Sequence, residues 1–121
     1  YEIMPSLVGS EMCIRDSASL ENAGKLCAAG VKTAICTDHP ETPINFLTAG
    51  AAYCCKYGMP KNEALKGLTI TAAELGGFAD RTGSVTVGKD ADLILLDGDP
   101  FEIMTNVCMT MINGKIVFER K

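Results

Sequence analysis

A short apolar run that ends abruptly in polar residues constrains the fold of this chain more than any other feature. The run Val31 to Cys36 reads VKTAIC, and it directly follows Gly30, where a helical pattern ends. A strand that is buried on both faces loses the alternation of polar and apolar residues, as this run does. The order helix, glycine and apolar strand therefore predicts a parallel α/β fold.

The polar residues Thr37-Asp38-His39-Pro40 end this predicted strand. Parallel α/β folds place their chemistry at the C-terminal ends of strands, so Asp38 is a candidate functional carboxylate. By position alone, the simpler interpretation is a turn residue before Pro40. His39, the single histidine of the chain, is open to the same two interpretations, as a substrate contact or as a loop residue.

Segments with apolar stripes or capping residues predict helices on either side of the strand. They are Leu20 to Ala29 capped by Ser19, Pro43 to Tyr57, Lys61 to Leu68 after Pro60, and a short helix that a Thr71/Glu74 capping box begins and Gly76-Gly77 ends. From Gly83 onward, short apolar runs between turns predict strands. These are Val85 to Val87, Ala91 to Leu96, Val107 to Ile112 and Lys115 to Phe118, with Asn113-Gly114 as the hairpin turn of the last two.

The change of pattern divides the chain near Asp80 to Gly83. Residues 18–80 are expected to form the end of a parallel α/β layer, and residues 81–121 a small antiparallel sheet. One parallel strand cannot form a sheet by itself, and a small antiparallel sheet has exposed edges. Both portions are therefore expected to need strands from outside this chain.

Residues 1–17 carry a different signal. The run Ser6 to Ser17 reads SLVGSEMCIRDS, and Leu7 to Asp16 match the translation of a sequencing-library adapter without a gap. A match of that length has very little chance of arising at random. We therefore interpret residues 1–17 as an artefactual segment without information on the fold, and expect the natural upstream sequence to be missing.

Composition excludes several classes of protein. The 121 residues are 47% hydrophobic and 21% charged, which is typical of a globular domain. A net charge of −4 without a basic run argues against nucleic-acid binding, and no apolar segment is long enough to span a membrane. Six cysteines without CxxC spacing favour a reduced, cytoplasmic protein. Adjacent Cys54 and Cys55 would point about 100° apart on a helix, which favours packing over joint metal binding.

Four stretches in this order resemble the C-terminal end of the metal-dependent amidohydrolase superfamily, in its imidazolonepropionase-like branch. They read AGVKTAICTDHP, EALKGLTITAAELGG, DRTGSVTVGKDADLILLDGDP and INGKIVFER. The pattern G-S-x-x-x-G-K-x-A-D-L from Gly83 to Leu93 is highly specific in combination. The resemblance covers Leu20 to Lys121, nearly everything outside the adapter-like segment.

The resemblance implies the last strand and following helices of a (β/α)8 barrel, plus the C-terminal strands of a small β-sandwich. Val31 to Cys36 would be the eighth barrel strand. Asp38 would be the catalytic carboxylate that binds or adjoins a divalent metal, usually zinc, and moves a proton from the attacking water to the leaving nitrogen. His39, next to Asp38, could contact the substrate or the groups that surround the metal ligands, or could be a loop residue. The parent protein would hydrolyse non-peptide C–N bonds in small cyclic or linear amides, in the cytoplasm.

The family's other metal ligands, an H-x-H on the first strand and residues on the fourth to sixth strands, have no counterpart in this chain. A catalytic zinc needs about three protein ligands, so no metal and no activity are expected for this chain alone. Two other interpretations stay open. One is a small non-catalytic module that pairs with a partner through exposed sheet edges. The other is a thiol-based metal binder.

Long-read sequencing of the locus tests the adapter interpretation. We expect natural coding sequence in place of SLVGSEMCIRDS, and an in-frame H-x-H roughly 300 residues before Asp38, the separation set by typical barrel length. Intact genomic DNA that encodes SLVGSEMCIRDS would contradict the interpretation. A native start codon near Ala18 would instead favour the non-catalytic module.

Overall fold

A computed structural model describes Ser19 and residues 21–121. The predicted artefactual segment, residues 1–17, lies outside the described residues, as does Leu20. The described part contains helices followed by an antiparallel sheet. In chain order the elements are α1 (Asn22–Ala28), α2 (Leu47–Lys56), α3 (Lys61–Leu68), α4 (Ile70–Gly76), β1 (Leu93–Leu96), β2 (Val107–Ile112) and β3 (Lys115–Glu119). Among the described residues, no helix has the length and apolar character that a membrane crossing requires.

Helix α1 begins at Asn22, slightly later than the sequence predicts. The Ser19 hydroxyl accepts a hydrogen bond from the Glu21 N–H (3.2 Å), and the Ser19 carbonyl accepts one from the Asn22 N–H (3.0 Å). The helix ends as predicted, because Gly30 adopts a left-handed φ of 76° and donates its N–H to the Cys27 carbonyl (2.9 Å). Ser19 therefore orders the entry to α1 from outside the helix.

Helix α2 is shorter than the predicted helix from Pro43 to Tyr57. The chain first forms a 3-10 turn at Ile44–Phe46, and α2 begins only at Leu47. The Phe46 N–H donates to the Pro43 carbonyl (2.9 Å), which is the tighter hydrogen-bond spacing of a 3-10 turn. Such turns are common at the N-terminal ends of α-helices, so this difference changes the start of the element and not its type.

Helix α3 has the predicted bounds, whereas the start predicted for α4 is wrong. The Thr71/Glu74 capping box does not form, since α4 begins before Thr71 and no side chain caps it. The Thr69 hydroxyl, at the junction, donates instead to the Leu65 carbonyl in α3 (2.8 Å). The end of α4 agrees with the prediction, because Gly77 adopts a left-handed φ of 78°.

The segment from Val31 to Cys36, which the sequence predicts as a strand, forms no sheet pairing within the described part of the chain. One backbone hydrogen bond, from the Ile35 N–H to the Gly67 carbonyl (3.1 Å), ties this segment to α3. A strand exists only where a neighbour completes its hydrogen-bond ladder, and the described residues supply no parallel neighbour. This segment therefore has the apolar sequence pattern of a buried strand, but the described residues form no sheet around it.

The sheet has the order β1-β2-β3, and both pairs are antiparallel. The predicted hairpin turn is confirmed, because Asn113 and Gly114 both have positive φ, 49° and 76°, as a two-residue type I′ turn requires. Strand β1 begins at Leu93, later than the predicted Ala91. The Ala91 carbonyl accepts the Gly114 N–H (3.0 Å), so the residue before β1 supports the turn.

The predicted strand from Val85 to Val87 is also wrong. Its two valines are 87% and 103% exposed, and no strand pairs with it in the described part of the chain. Side-chain bonds close this loop instead: Arg81 pairs with Asp90 (2.8 Å), and the Lys89 ammonium donates to the Ser84 hydroxyl (2.7 Å). Most of the Gly83 to Leu93 pattern therefore lies in a loop before β1, and these polar contacts close that loop.

Small side chains form the buried core. Ala51 and Ala64 are fully buried, and Met59 is 3% exposed. Partly buried apolar residues pack against them, namely Ala23, Cys27, Ile35, Cys54, Cys55, Leu68 and Phe101. Many larger apolar side chains stay outside, such as Ile103, which is 94% exposed. So much exposed apolar surface is typical of elements that pack against further protein.

Gly83 and Gly88 offer a matched test of packing in the 81–90 loop. Both have positive φ, 88° and 93°, but only Gly83 is crowded, since an added Cβ would lie 2.8 Å from the Ala73 Cβ. We expect Gly88→Ala to cost roughly 1–2 kcal/mol from backbone strain. Gly83→Ala should cost about 1–3 kcal/mol more from overpacking.

Urea unfolding of the two variants beside the unchanged chain measures both costs. Gly50→Ala in α2 is the control, because an added Cβ there meets nothing within 4 Å. Equal destabilisation by Gly83→Ala and Gly88→Ala would show that the contact with Ala73 does not constrain the loop.

Candidate functional site

Asp38 begins a turn that runs to Glu41. The Glu41 N–H donates to the Asp38 carbonyl (2.9 Å), and the Thr42 N–H donates to the Thr37 carbonyl (3.3 Å). The Asp38 backbone has a φ of 51°, in the left-handed region. The turn thus fixes where the chain goes immediately after the apolar segment of residues 31–36.

The backbone of Asp38 is in a sparsely populated conformation. The left-handed region costs a residue with a Cβ roughly 1–2 kcal/mol, although aspartate adopts it more readily than most residues. Backbone strain of this kind clusters at functional sites. Sequence reasoning missed this property, for which the only signal was an aspartate among turn-forming residues. The positive φ supports a functional interpretation of Asp38, which stays a prediction.

The structure brings Asp38 and His39 together on an exposed turn, with Thr37 half-buried beside them. Within the described part of the chain, neither the Asp38 carboxylate nor the His39 ring has a hydrogen-bond or ion-pair partner. Two clefts of about 460 Å³ each lie in the molecule, and neither is lined by these residues. The turn therefore presents an accessible carboxylate that can accept a proton, without the neighbouring groups that would act with it.

The described residues do not fit a resident metal ion. No group of three or more His, Cys, Asp or Glu side chains within them is arranged to hold one. Asp38 and His39 offer two potential ligands on adjacent residues, whereas a catalytic zinc takes about three protein ligands with one position open. Any metal at this turn would need ligands from outside the described residues.

Three of the described cysteines pack in the helical core. Cys27, Cys54 and Cys55 are half-buried against Ala51 and its neighbours. Burial raises the pKa of the Cys54 thiol, and the adjacent Cys55 raises it further, so the thiol stays protonated at neutral pH. Protonated, packed thiols are poor metal ligands, because metals bind the thiolate. The packing interpretation of Cys54 and Cys55 is favoured over a thiol-based metal site.

The carboxylates near β1 have structural contacts. Asp90 pairs with Arg81 (2.8 Å), and the Asp92 carboxylate accepts the Asn113 N–H (2.7 Å). Each carboxylate therefore holds a turn next to the sheet.

Comparison with known proteins decides the family. The model of the amidohydrolase family matches residues 14–117. This chain belongs to the amidohydrolase family. The match includes the turn of Asp38, the closed loop of residues 81–90 and most of the sheet. The predicted resemblance to amidohydrolases of the imidazolonepropionase-like branch is confirmed.

Two curated relatives illustrate the match. The chain is 36% identical over 94 residues to an imidazolonepropionase of Maricaulis maris, covering 74% of this chain and 23% of the relative. It is 30% identical over 109 residues to an N-substituted formamide deformylase of Arthrobacter pascens, covering 76% of this chain and 20% of the relative. The amidohydrolase chain thus spans about a quarter or less of the length of these relatives.

Solved structures agree with this family membership. An amidohydrolase from Thermotoga maritima superposes with a TM-score of 0.83 at 37% identity, covering 96% of this chain and 30% of that one. A Xaa-Pro dipeptidase with bound methionine superposes with a TM-score of 0.72 at 30% identity, covering 84% of this chain and 25% of that one. The predicted mixed α/β class is confirmed, while the division near residues 80–83 stays a prediction.

The amidohydrolase chain of 121 residues, purified alone, should bind no zinc at one-to-one stoichiometry and hydrolyse no amide. The physical reason is that Asp38 and His39 do not complete a ligand set. Metal analysis after dialysis against zinc measures the stoichiometry, and thiol titration with and without zinc examines the cysteines. A tight equimolar zinc, or thiols that zinc protects, would contradict this expectation.

Proposed function

We propose that the whole protein hydrolyses C–N bonds of small amides and that Asp38 is its proton-transferring carboxylate. The supporting observation is the turn at Asp38, which holds a carboxylate at positive φ directly after an apolar segment in a chain of the amidohydrolase family. Fold alone does not determine function, so the proposal depends on the position of this carboxylate. In this proposal, the described residues contribute the exposed carboxylate of Asp38 to the active site.

The proposal includes a parent fold that is larger than the described elements. In it, Val31 to Cys36 is the eighth strand of a (β/α)8 barrel, and residues 81–121 complete a small β-sandwich. Support comes from the apolar pattern of that segment, from its hydrogen bond to α3, and from the apolar surface that the described elements leave exposed. In such a barrel Asp38 lies at the C-terminal face, where the active sites of these folds lie.

Asp38 supplies general acid–base chemistry in this proposal. A positioned carboxylate accepts the proton of the attacking water and returns it to the leaving nitrogen. We also propose that the whole protein holds a divalent metal, of the zinc type, which Asp38 binds or adjoins and whose other ligands lie outside the described residues. When bound, such an ion would lower the pKa of a coordinated water to about 7. His39, exposed beside Asp38, is proposed to contact the substrate.

The proposed substrate class is a small cyclic or linear amide with a non-peptide C–N bond. Support comes from the names of two relatives, an imidazolonepropionase and an N-substituted formamide deformylase. Because a dipeptidase is among the similar structures, a dipeptide is the alternative substrate to compare in an assay. We place the protein in the cytoplasm, because its cysteines are free in the described part of the chain.

A second candidate is a non-catalytic module that binds a partner through its sheet edges. Its supporting observation is the three-stranded sheet, whose outer strands β1 and β3 each have one neighbour within the described residues. The natural upstream coding sequence distinguishes the two candidates. An in-frame H-x-H favours the hydrolase, and its absence favours the module.

Asp38→Asn in the protein encoded by the intact locus tests the proposed role. Asparagine tolerates the left-handed backbone as well as aspartate does, so the turn should survive. We expect kcat/KM for a panel of small amides to fall about 10²–10⁴-fold, the usual contribution of one general acid–base group. His39→Ala should act mainly by raising KM.

Glu41→Gln is the matched control, because Glu41 is an exposed carboxylate in the same turn and has no proposed role. It should leave kcat/KM nearly unchanged. Equal losses in Asp38→Asn and Glu41→Gln would assign the effect to turn structure. Full activity of Asp38→Asn would remove Asp38 from the chemistry.

A further inference from the structure

The segment of residues 31–36 meets α3 at a glycine. The Gly67 carbonyl accepts a hydrogen bond from the Ile35 N–H (3.1 Å). Gly67 lies in the last turn of α3, and the carbonyls of the last turn of a helix have no partner inside the helix. The Gly67 carbonyl can therefore accept a bond from another segment. Because Ile35 stands three residues before Asp38, this bond fixes the backbone just before the candidate carboxylate.

The contact leaves no room for a side chain at Gly67, which is buried. An added Cβ would lie 2.9 Å from the Thr33 carbonyl oxygen, whereas ordinary contacts of a Cβ begin at 3.4 Å. The obstacle is a backbone atom, so rotation about a side-chain bond cannot relieve it. A side chain at Gly67 would therefore push α3 and the backbone of residues 33–35 apart by roughly half an ångström or more.

The neighbouring contacts decide which part moves. Ala64, one turn before Gly67, is fully buried in the core, so α3 is held in place. The start of the segment is held as well, because the Val31 N–H donates to the Leu26 carbonyl in α1 (3.0 Å). A side chain at Gly67 would therefore displace the middle and the end of the segment, and Asp38 lies just after that end.

Proton transfer by Asp38 is sensitive to such a displacement. A general acid–base group has to lie about 2.6–3.2 Å from the atom with which it exchanges the proton. A misplacement of about 1 Å can lower a rate about 10²-fold, even when the altered residue is remote from the chemistry. An interaction that is made only in the transition state changes kcat and leaves KM nearly constant.

We propose that Gly67 is a positioning residue for Asp38. Without a side chain, Gly67 lets α3 lie against the backbone of residues 33–35 at hydrogen-bond distance, and this contact sets the place of the carboxylate. Gly67 acts through the backbone and not on the substrate. The inference rests on the proposed role of Asp38 in proton transfer, and it names the residue that determines how precisely Asp38 is placed.

Gly67→Val in the protein encoded by the intact locus tests the proposal. We expect kcat for small amides to fall about 10–100-fold while KM changes little. Gly67→Ala adds only the Cβ and should cause a smaller loss in the same direction. Gly50→Val is the matched control, because it makes the same change in α2, where an added Cβ meets nothing within 4 Å among the described residues. It should leave kcat nearly unchanged.

Gly67→Val in the Asp38→Asn background separates positioning from general damage. If Gly67 acts through Asp38, the double variant should have the kcat of Asp38→Asn alone, since a carboxylate that has been removed cannot be misplaced. Far-UV circular dichroism and the urea midpoint check that each variant keeps its fold. If Gly67→Val does not fold, Gly67→Ala takes its place in both backgrounds.

The outcomes distinguish this inference from the proposed function. Unchanged kcat in Gly67→Val, an equal loss in Gly50→Val, or the same fold-loss with and without Asp38 would overturn the positioning role and leave the role of Asp38 intact. Full activity of Asp38→Asn would instead overturn the proposed role of Asp38, and the positioning role with it.

Discussion

The hydrogen bond from the Ile35 N–H to the Gly67 carbonyl (3.1 Å) is the contact on which the candidate site depends. It ties the apolar segment before Asp38 to α3, and a second backbone bond, from the Val31 N–H to the Leu26 carbonyl (3.0 Å), ties the start of that segment to α1. The close approach requires the glycine, because a Cβ on Gly67 would lie 2.9 Å from the Thr33 carbonyl oxygen. The described residues contain no parallel neighbour strand for this segment. The backbone contact therefore provides part of the positioning that the hydrogen bonds of a sheet would provide.

A second connection joins the helical portion to the sheet portion. The Lys61 ammonium, at the start of α3, pairs with the Asp99 carboxylate after β1, and it also lies 6.0 Å from the centre of the Phe101 ring. Asp99 in turn accepts the Phe101 N–H (3.0 Å). Since Phe101 packs against the alanine-lined core, the connection combines charge with apolar contact. Exposed ion pairs alone stabilise little, so the apolar part carries most of the effect.

Sequence reasoning succeeded where a local rule determines the structure and failed where a neighbour does. Asn113-Gly114 gave the hairpin, because only residues that accept positive φ fit a type I′ turn. Val31 to Cys36 has no sheet partner among the described residues, because pairing depends on other strands, and apolar pattern alone cannot show whether they are present. At Asp38 the sequence predicted the turn and a candidate carboxylate, but not the left-handed backbone within that turn.

The proton transfer expected of Asp38 accounts for only part of the rate acceleration of a hydrolase. One general acid–base group contributes about 10²–10⁴-fold, whereas enzymes accelerate reactions by at least about 10⁶-fold. The difference has to come from groups that orient the substrate and stabilise developing charge. The described residues near Asp38 supply His39 and half-buried Thr37, and no group of three or more potential metal ligands lies among the described residues. If Asp38 acts as proposed, catalysis needs further side chains beyond those that lie near the turn of residues 38–41 in the described part of the chain.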